Sequence, residues 1–163
     1  MSLKNLVRCL VAVLFALCAL GGAVAQMPKP YGLPIGLENA RKAAAPAVAE
    51  ALKNNWSVAV AIVDPAGTLV YYEKMDHTQL GSANVAIAKA RSAALFKRPT
   101  KAFQDAVAAG GDGMRLLRLE GAVPIEGGIP LVMDGKIVGA IGVSGATSAQ
   151  DAQCAKAGAE SVK

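Results

Sequence analysis

His77 is the only histidine among the 163 residues, and its type indicates metal chemistry most directly. A neutral imidazole is a good iron ligand, and His77 follows a predicted strand where the chain turns towards the next helix. A loop at a sheet edge would place this ligand over one face of a flat cofactor. A single histidine excludes HExxH zinc sites and multi-histidine cages. The alternative is an exposed loop histidine with no ligand role.

Other side chains that could bind a metal are methionines and tyrosines. Thioethers are soft ligands, but isolated methionines more often fill a core. Tyrosinate binds ferric haem, and two adjacent tyrosines should face opposite sides of one strand, which favours at least one being exposed. These candidates are Met75, Met114, Met133, Tyr71 and Tyr72.

Catalytic motifs are nearly absent from the sequence. The stretch GVSG at 142–145 misses the GxSxG spacing of a nucleophile elbow, and GGDG at 110–113 lacks the lysine and hydroxyl of a P-loop. No CxxCH motif is available for covalent haem. Whether the protein is an enzyme therefore stays open, and a non-catalytic role is favoured.

Three stretches of the sequence are distinctive: residues 63–70 (VDPAGTLV), 89–100 (KARSAALFKRPT) and 127–145 (GGIPLVMDGKIVGAIGVSG). Together they resemble the GlcG/HbpS family of small haem-binding proteins, and the resemblance extends over about residues 37–162. It implies non-covalent haem, a profilin-like sheet with flanking helices, and assembly into dimers or larger rings.

The resemblance also implies site residues. It marks a Thr100 oxygen as an iron contact, and Lys97, Arg98 and Lys101 could pair with the haem propionates, since charge-assisted bonds hold carboxylates firmly. The alternative is that Thr100 only caps a helix and the basic residues form a solvated helix end. His77 departs from the small residues that the family commonly carries at that position.

Three functions remain in view. The leading one is an exported haem carrier, buffer or sensor accessory, with a possible membrane sensor partner. Its site would lie at the surface or a subunit interface, because an aromatic content of 4% does not suit a deep pocket. The second is a haem-degrading or peroxide-linked redox enzyme. The third is an oligomeric module for another ligand such as a corrinoid or a metabolite, since relatives of this fold occur fused to corrinoid-handling enzymes.

Two hairpins are predicted to build the scaffold. Apolar runs at 57–63 and 68–75 flank the turn at 64–67, and runs at 129–133 and 136–143 flank Asp134-Gly135, a favoured type I′ turn. In the last run, Ile137, Gly139, Ile141 and Val143 should share one face, and its glycines leave room for another backbone or a flat ligand. The prediction is an α+β domain, an antiparallel sheet with helices packed on its faces.

Helices are predicted between and after the hairpins. The first spans 36–54 and should be kinked or split by Pro46; the second runs from a Ser82 cap to about residue 97. A short third helix starts at Thr100, a flexible glycine loop follows at 110–113, and Ser148 with Asp151 should cap the last helix.

The amino terminus has the pattern of a secretory signal peptide. A basic start precedes an apolar run at 9–20, too short to be a membrane anchor, and Ala23-Val24-Ala25 predicts cleavage before Gln26. We therefore expect a signal peptide at 1–25, a proline-rich arm at 26–35, one domain at 36–163, and a periplasmic or secreted location.

Cleavage lowers the formal charge from +5 to +3, too little to indicate nucleic-acid binding. Cys154 is then the one cysteine left, and should be a buried packing residue unless exposure allows an intermolecular disulfide.

Overall fold

The two predicted hairpins form one four-stranded antiparallel sheet. The computed structural model describes residues 28–162, and the strand order is β2-β1-β4-β3. The α+β prediction is confirmed, because the two hairpins join through antiparallel pairing of β1 with β4. The strands are β1 (Ala59–Val63), β2 (Leu69–Lys74), β3 (Gly128–Met133) and β4 (Lys136–Ser144).

Helices cover both faces of the sheet. One core layer joins two helices to the sheet, and a second, alanine-rich layer joins a third helix to the opposite face. The helices are α1 (Leu37–Lys53), α2 (Ser82–Leu95), α3 (Lys101–Ala108) and α4 (Ser148–Ala159), with a 3₁₀ helix (Gly111–Arg118) before β3. α1 and α4 share the first layer, and α2 forms the second.

Gly142 shows why this second layer is thin. A Cβ on Gly142 would overlap the backbone of Ala86 and Ala90 in α2. The expected close approach of another backbone at a β4 glycine is therefore made here by α2.

Both hairpin turns have the predicted backbone. Gly67 has φ 83° and donates to the Asp64 carbonyl, while Asp134 and Gly135 both have positive φ, as a type I′ turn requires. The strict alternation predicted in β4 is wrong at its start. A β-bulge opposite Leu131 and Val132 shifts the register, so Val138 joins Ile141 and Val143 in the first layer.

Pro46 does not split α1, which is one helix from Leu37 to Lys53. A proline lacks the N–H that would bond the carbonyl four residues earlier, here that of Lys42. The Ser161 hydroxyl donates to this carbonyl at 2.9 Å. A residue near the end of the chain thus satisfies the acceptor that proline leaves.

The N-caps of α2 and α4 each differ from the prediction by one residue. Gly81, and not Ser82, is the N-cap of α2. Thr147 caps α4 and forms a capping box with Gln150. Asp151 is therefore not part of the cap, and its side chain is buried.

The glycine-rich segment is less open than expected, because the 3₁₀ helix already begins at Gly111. The predicted signal peptide at 1–25 lies outside the described residues.

Candidate functional site

The proline-rich arm is tied to the domain. The Ile137 N–H donates to the Pro30 carbonyl at 2.9 Å, and the Gly32 N–H donates to the Ile137 carbonyl at 2.8 Å. The Tyr31 hydroxyl donates to the Ala94 carbonyl at 2.9 Å, at the end of α2. The described part of the arm therefore forms one wall of a site.

A groove of about 340 Å³ lies between this arm, the segment after α2, and the hairpin of β3 and β4. Its floor is apolar, and the β4 bulge places Ile137 in it. Two lysines contribute its charge. The lining residues are Pro28, Lys29, Lys97, Pro99, Ile129, Pro130, Val132 and Ile137. An apolar cleft with a few polar groups is the usual form of a small-molecule site.

Lys97 lies in this groove in a strained conformation. The Arg98 N–H bonds to the Ala93 carbonyl and the Lys97 N–H to the Ala94 carbonyl, which is the Schellman pattern that ends α2. The motif requires a left-handed residue, usually glycine, and Lys97 adopts it with φ 55°. Its Nζ lies 4.1 Å from the centre of the Tyr31 ring. Backbone strain that is retained at a charged residue points to a functional position.

The other two basic residues predicted to bind the propionates, Arg98 and Lys101, do not line the groove. Arg98 is exposed, donates through Nε to the Phe96 carbonyl at 3.1 Å, and lies 5.6 Å from the Phe103 ring centre. Lys101 forms an ion pair of 2.7 Å with Asp105 along α3, and this hydrogen bond raises the lysine pKa. Of the three, Lys97 alone lines the groove.

Thr100 is fully buried. It occupies the N-cap position of α3, but its hydroxyl makes no capping bond. The hydroxyl accepts from the Gly128 N–H at 2.9 Å, while the Thr100 N–H donates to the Gly128 carbonyl at 3.0 Å. An iron contact at this oxygen would require the bond to β3 to open.

His77 is exposed in the turn after β2 and has φ 64°. β2 and β3 are opposite edges of the sheet, so three strand spacings, about 14 Å, separate His77 from Thr100. One iron cannot contact both within one copy. His77 is also remote from the groove, at the opposite edge and the opposite end of the sheet.

The tyrosines and cysteine are poor anionic ligands. Tyr71 and Tyr72 face opposite layers as predicted, but both are half-buried. The hydrogen bond from Tyr71 to Glu73 raises the Tyr71 pKa, and burial raises the pKa of Tyr72. Cys154 is buried as expected, and burial raises its pKa to about 11, which keeps the thiol protonated at neutral pH.

The methionines are separate from the groove. Met75 and Met133 pack partly buried against the first core layer, while Met114 is exposed on the 3₁₀ helix. Met133 lines a second hollow of about 340 Å³ on the other side of the arm. Its one lining cation, Lys136, is accompanied by Asp134, so this hollow is less suited to an anion than the groove.

A buried ion pair escaped the sequence analysis. Lys89 of α2 and Asp151 of α4 join at 2.8 Å, and Lys89 also donates to the Val143 carbonyl at 3.0 Å. Burial raises the Asp151 pKa more than the Lys89 contact lowers it. The pair ties helices from opposite faces across the end of β4. Lys89 lies in a stretch that carried the family resemblance, but nothing local marked its side chain as buried.

No group of three potential metal-binding side chains occurs within residues 28–162. In the same range, no helix is long and apolar enough to cross a membrane.

Comparisons with known proteins converge on one family. The profile of the family described as "Haem degrading protein HbpS-like" matches residues 35–160. "Protein GlcG" of Escherichia coli K12 is 46% identical over 95 residues, which is 58% of this chain and 69% of that protein.

Solved structures have the same fold. A double mutant of HbpS from Streptomyces reticuli superposes with a TM-score of 0.74 at 32% identity, covering 88% of this chain and 93% of that one. A PduOC:haem complex superposes with a TM-score of 0.72 at 26% identity, covering 80% and 96%.

Proposed function

Because this chain belongs to the HbpS-like family of haem-degrading proteins, we propose that it binds haem non-covalently in the groove beside Lys97. The observation that carries the proposal is an apolar floor bordered by two lysines, one of them held in a strained backbone conformation. The solved haem complex of a relative with this fold supports it.

The residues present fit the two halves of the ligand. A tetrapyrrole has a flat apolar ring, which Ile129 and Val132 would contact. It also has two carboxylates, which Lys29 and Lys97 would hold by charge-assisted bonds. Bound haem would supply the redox and ligand-binding chemistry of its iron.

The groove does not supply a strong iron ligand of its own. No imidazole, phenol, thiol or thioether belongs to the residues that line it in the described part of the chain. We propose that His77 could reach this iron only from a second copy, which agrees with a site at the surface or a subunit interface. Binding mainly through ring and propionates suits a carrier or buffer that must release haem.

Export completes the proposed role. The amino-terminal pattern supports a signal peptide ending before Gln26, and a periplasmic or secreted carrier or sensor accessory would meet haem outside the cytoplasm. N-terminal sequencing of protein from the periplasm or medium tests this. A mature start at Gln26 supports export, and retention of Met1 refutes it.

Haem degradation is the second candidate, favoured by the description of the matched family. The described residues would bind and orient haem in this role as well, so binding alone does not separate the two. Loss of the Soret band with release of chelatable iron, on adding ascorbate or peroxide, would support degradation. A stable band under both treatments would refute it.

Titration of hemin into the purified protein tests the proposed site. We expect a saturable Soret shift that weakens several-fold in Lys97→Ala. Lys101→Ala is the matched control, because it removes a nearby cation that is paired outside the groove. Val132→Glu should weaken binding more strongly, since it places a charge on the apolar floor.

The outcomes separate the alternatives. Equal loss in Lys97→Ala and Lys101→Ala would refute a site in this groove and favour non-specific attraction to the basic segment. A band altered by His77→Ala alone would move the site to the β2 edge. No saturable shift in the wild type would overturn haem binding and leave a module for another ligand.

A further inference from the structure

Tyr31 of the arm is held firmly in place although it is not a core residue. Its two neighbours in the arm, Pro30 and Gly32, both form backbone hydrogen bonds with Ile137. Its hydroxyl donates to the Ala94 carbonyl at the end of α2. The side chain is nevertheless 41% exposed and belongs to neither core layer of residues 28–162. Burial in the interior therefore does not account for a tyrosine at this position.

The ring of Tyr31 holds a cation of the groove. The Lys97 Nζ lies 4.1 Å from the ring centre, well inside the distance of about 6 Å at which an aromatic face attracts a cation. The same lysine lines the groove and forms no ion pair within residues 28–162. An ammonium group has three N–H donors, so one that rests on a ring face can still donate to a carboxylate.

Both ends of the Lys97 side chain are thus fixed by the protein itself. The Schellman turn fixes its backbone at φ 55°, and the Tyr31 ring fixes its ammonium. A lysine stem without such a contact samples many rotamers, and a ligand then meets the binding orientation in only a fraction of the molecules. The affinity falls by that fraction, so a contact that raises it strengthens binding.

We propose that Tyr31 is a positioning residue for the groove, whose ring holds the Lys97 ammonium where a carboxylate of the ligand binds. The inference rests on the proposed haem site and deepens it, because it makes the arm a determinant of anion recognition. Tyr31 acts here only through Lys97. Its ring should therefore matter only when Lys97 and a free carboxylate on the ligand are both present.

Soret titrations of hemin into the purified protein test the role of the ring. Tyr31→Phe keeps the ring and loses the hydroxyl, so it should bind hemin near the wild-type level. Tyr31→Leu removes the ring and should weaken binding about two- to fivefold, the population that an exposed cation–ring contact maintains. Leu33→Ala is the matched control in the arm, because Leu33 is 86% exposed and lines the second hollow. It should bind like the wild type, and far-UV circular dichroism confirms that each variant is folded.

Two measurements separate the positioning of Lys97 from a general loosening of the arm. Hemin dimethyl ester has no free propionate, so Tyr31→Leu should bind this probe as well as the wild type does. In the Lys97→Ala background, Tyr31→Leu should weaken hemin binding no further, since the residue through which it acts is gone. A loosened arm wall would weaken binding in both measurements.

The outcomes distinguish this inference from the haem site on which it rests. Equal weakening in Tyr31→Phe and Tyr31→Leu would overturn the role of the ring and leave the haem site standing. Weaker binding of the ester, or losses that add in the double variant, would overturn it in the same way. No saturable Soret shift in the wild type would overturn the haem site and this inference with it.

Discussion

Replacing Lys97 with glycine should separate stability from binding. Lys97 holds φ 55° at the Schellman position after α2, a conformation that costs a non-glycine residue about 1–2 kcal/mol. The substitution relieves that cost. It also removes the contact with the Tyr31 ring, which contributes about 0.5–1 kcal/mol when partly exposed. We therefore expect the free energy of unfolding to stay level or rise by up to about 1.5 kcal/mol.

Hemin binding should move in the opposite direction. A charge-assisted bond to a propionate is worth about 1.5–3 kcal/mol when well formed. Lys97 is half-buried, so its loss should cost about 1–1.5 kcal/mol of binding free energy, which corresponds to a Kd for hemin that is about five- to tenfold weaker. Lys97→Arg is the matched control, because it keeps the cation and the strain and should bind near the wild-type level.

Urea unfolding and Soret titration on the same preparations measure both quantities. Destabilisation of Lys97→Gly by more than about 1 kcal/mol would show that the left-handed backbone is not strained as argued. Unchanged hemin affinity in a stable Lys97→Gly protein would show that the cation does not contact the ligand. Either result refutes the reasoning that links the strain to binding.

Three further predictions concern the buried interior. Lys89→Met should cost about 3 kcal/mol of unfolding free energy, because it leaves Asp151 buried without its ion-pair partner. The double variant Lys89→Met, Asp151→Leu should recover most of this loss. A double variant as unstable as the single variant would contradict the prediction. Thr100→Val should cost about 1–3 kcal/mol of unfolding free energy, because it leaves the Gly128 N–H without its acceptor, while Thr100→Ser keeps the hydrogen bond. If hemin binding were lost in Thr100→Val but kept in Lys97→Gly, the iron contact would be Thr100 and the binding site would not depend on Lys97. The raised Cys154 pKa of about 11 means that the thiol ionises first in the unfolded chain, so its contribution to stability is complete below about pH 9 and is lost as pH rises to about 11. This loss is up to about 3 kcal/mol and should be absent in Cys154→Ala; equal pH slopes in both proteins would contradict it.

The scaffold was predictable because its signals are local. Asp134-Gly135 and Asp64 to Gly67 specify turns through the backbone angles that their own residues prefer, and apolar runs on each side specify strands. The errors arose where a distant residue intervened. Pro46 stays within one helix because Ser161 satisfies the Lys42 carbonyl.

The candidate site was predictable only in part. The resemblance named Lys97, which lines the groove, but it gave no reason to prefer Lys97 over Arg98 and Lys101. The arm and the β4 bulge make that distinction, and they also bring in Lys29 and Ile137, which the sequence analysis did not select. Whether any of them contacts haem stays a prediction.

The sequence by itself determined the hairpins, the helices and the family, because each depends on neighbouring residue types or on a recognisable stretch of sequence. Export stays a prediction from the amino-terminal pattern. Tertiary structure alone decided the partners of buried polar groups. Thr100 could cap its helix or bond elsewhere, and Lys89 could be a solvated helix residue, until β3 and α4 packed against them. The physical reason is that burying a polar group requires a hydrogen-bond partner, and that partner comes from segments 28 and 62 residues away.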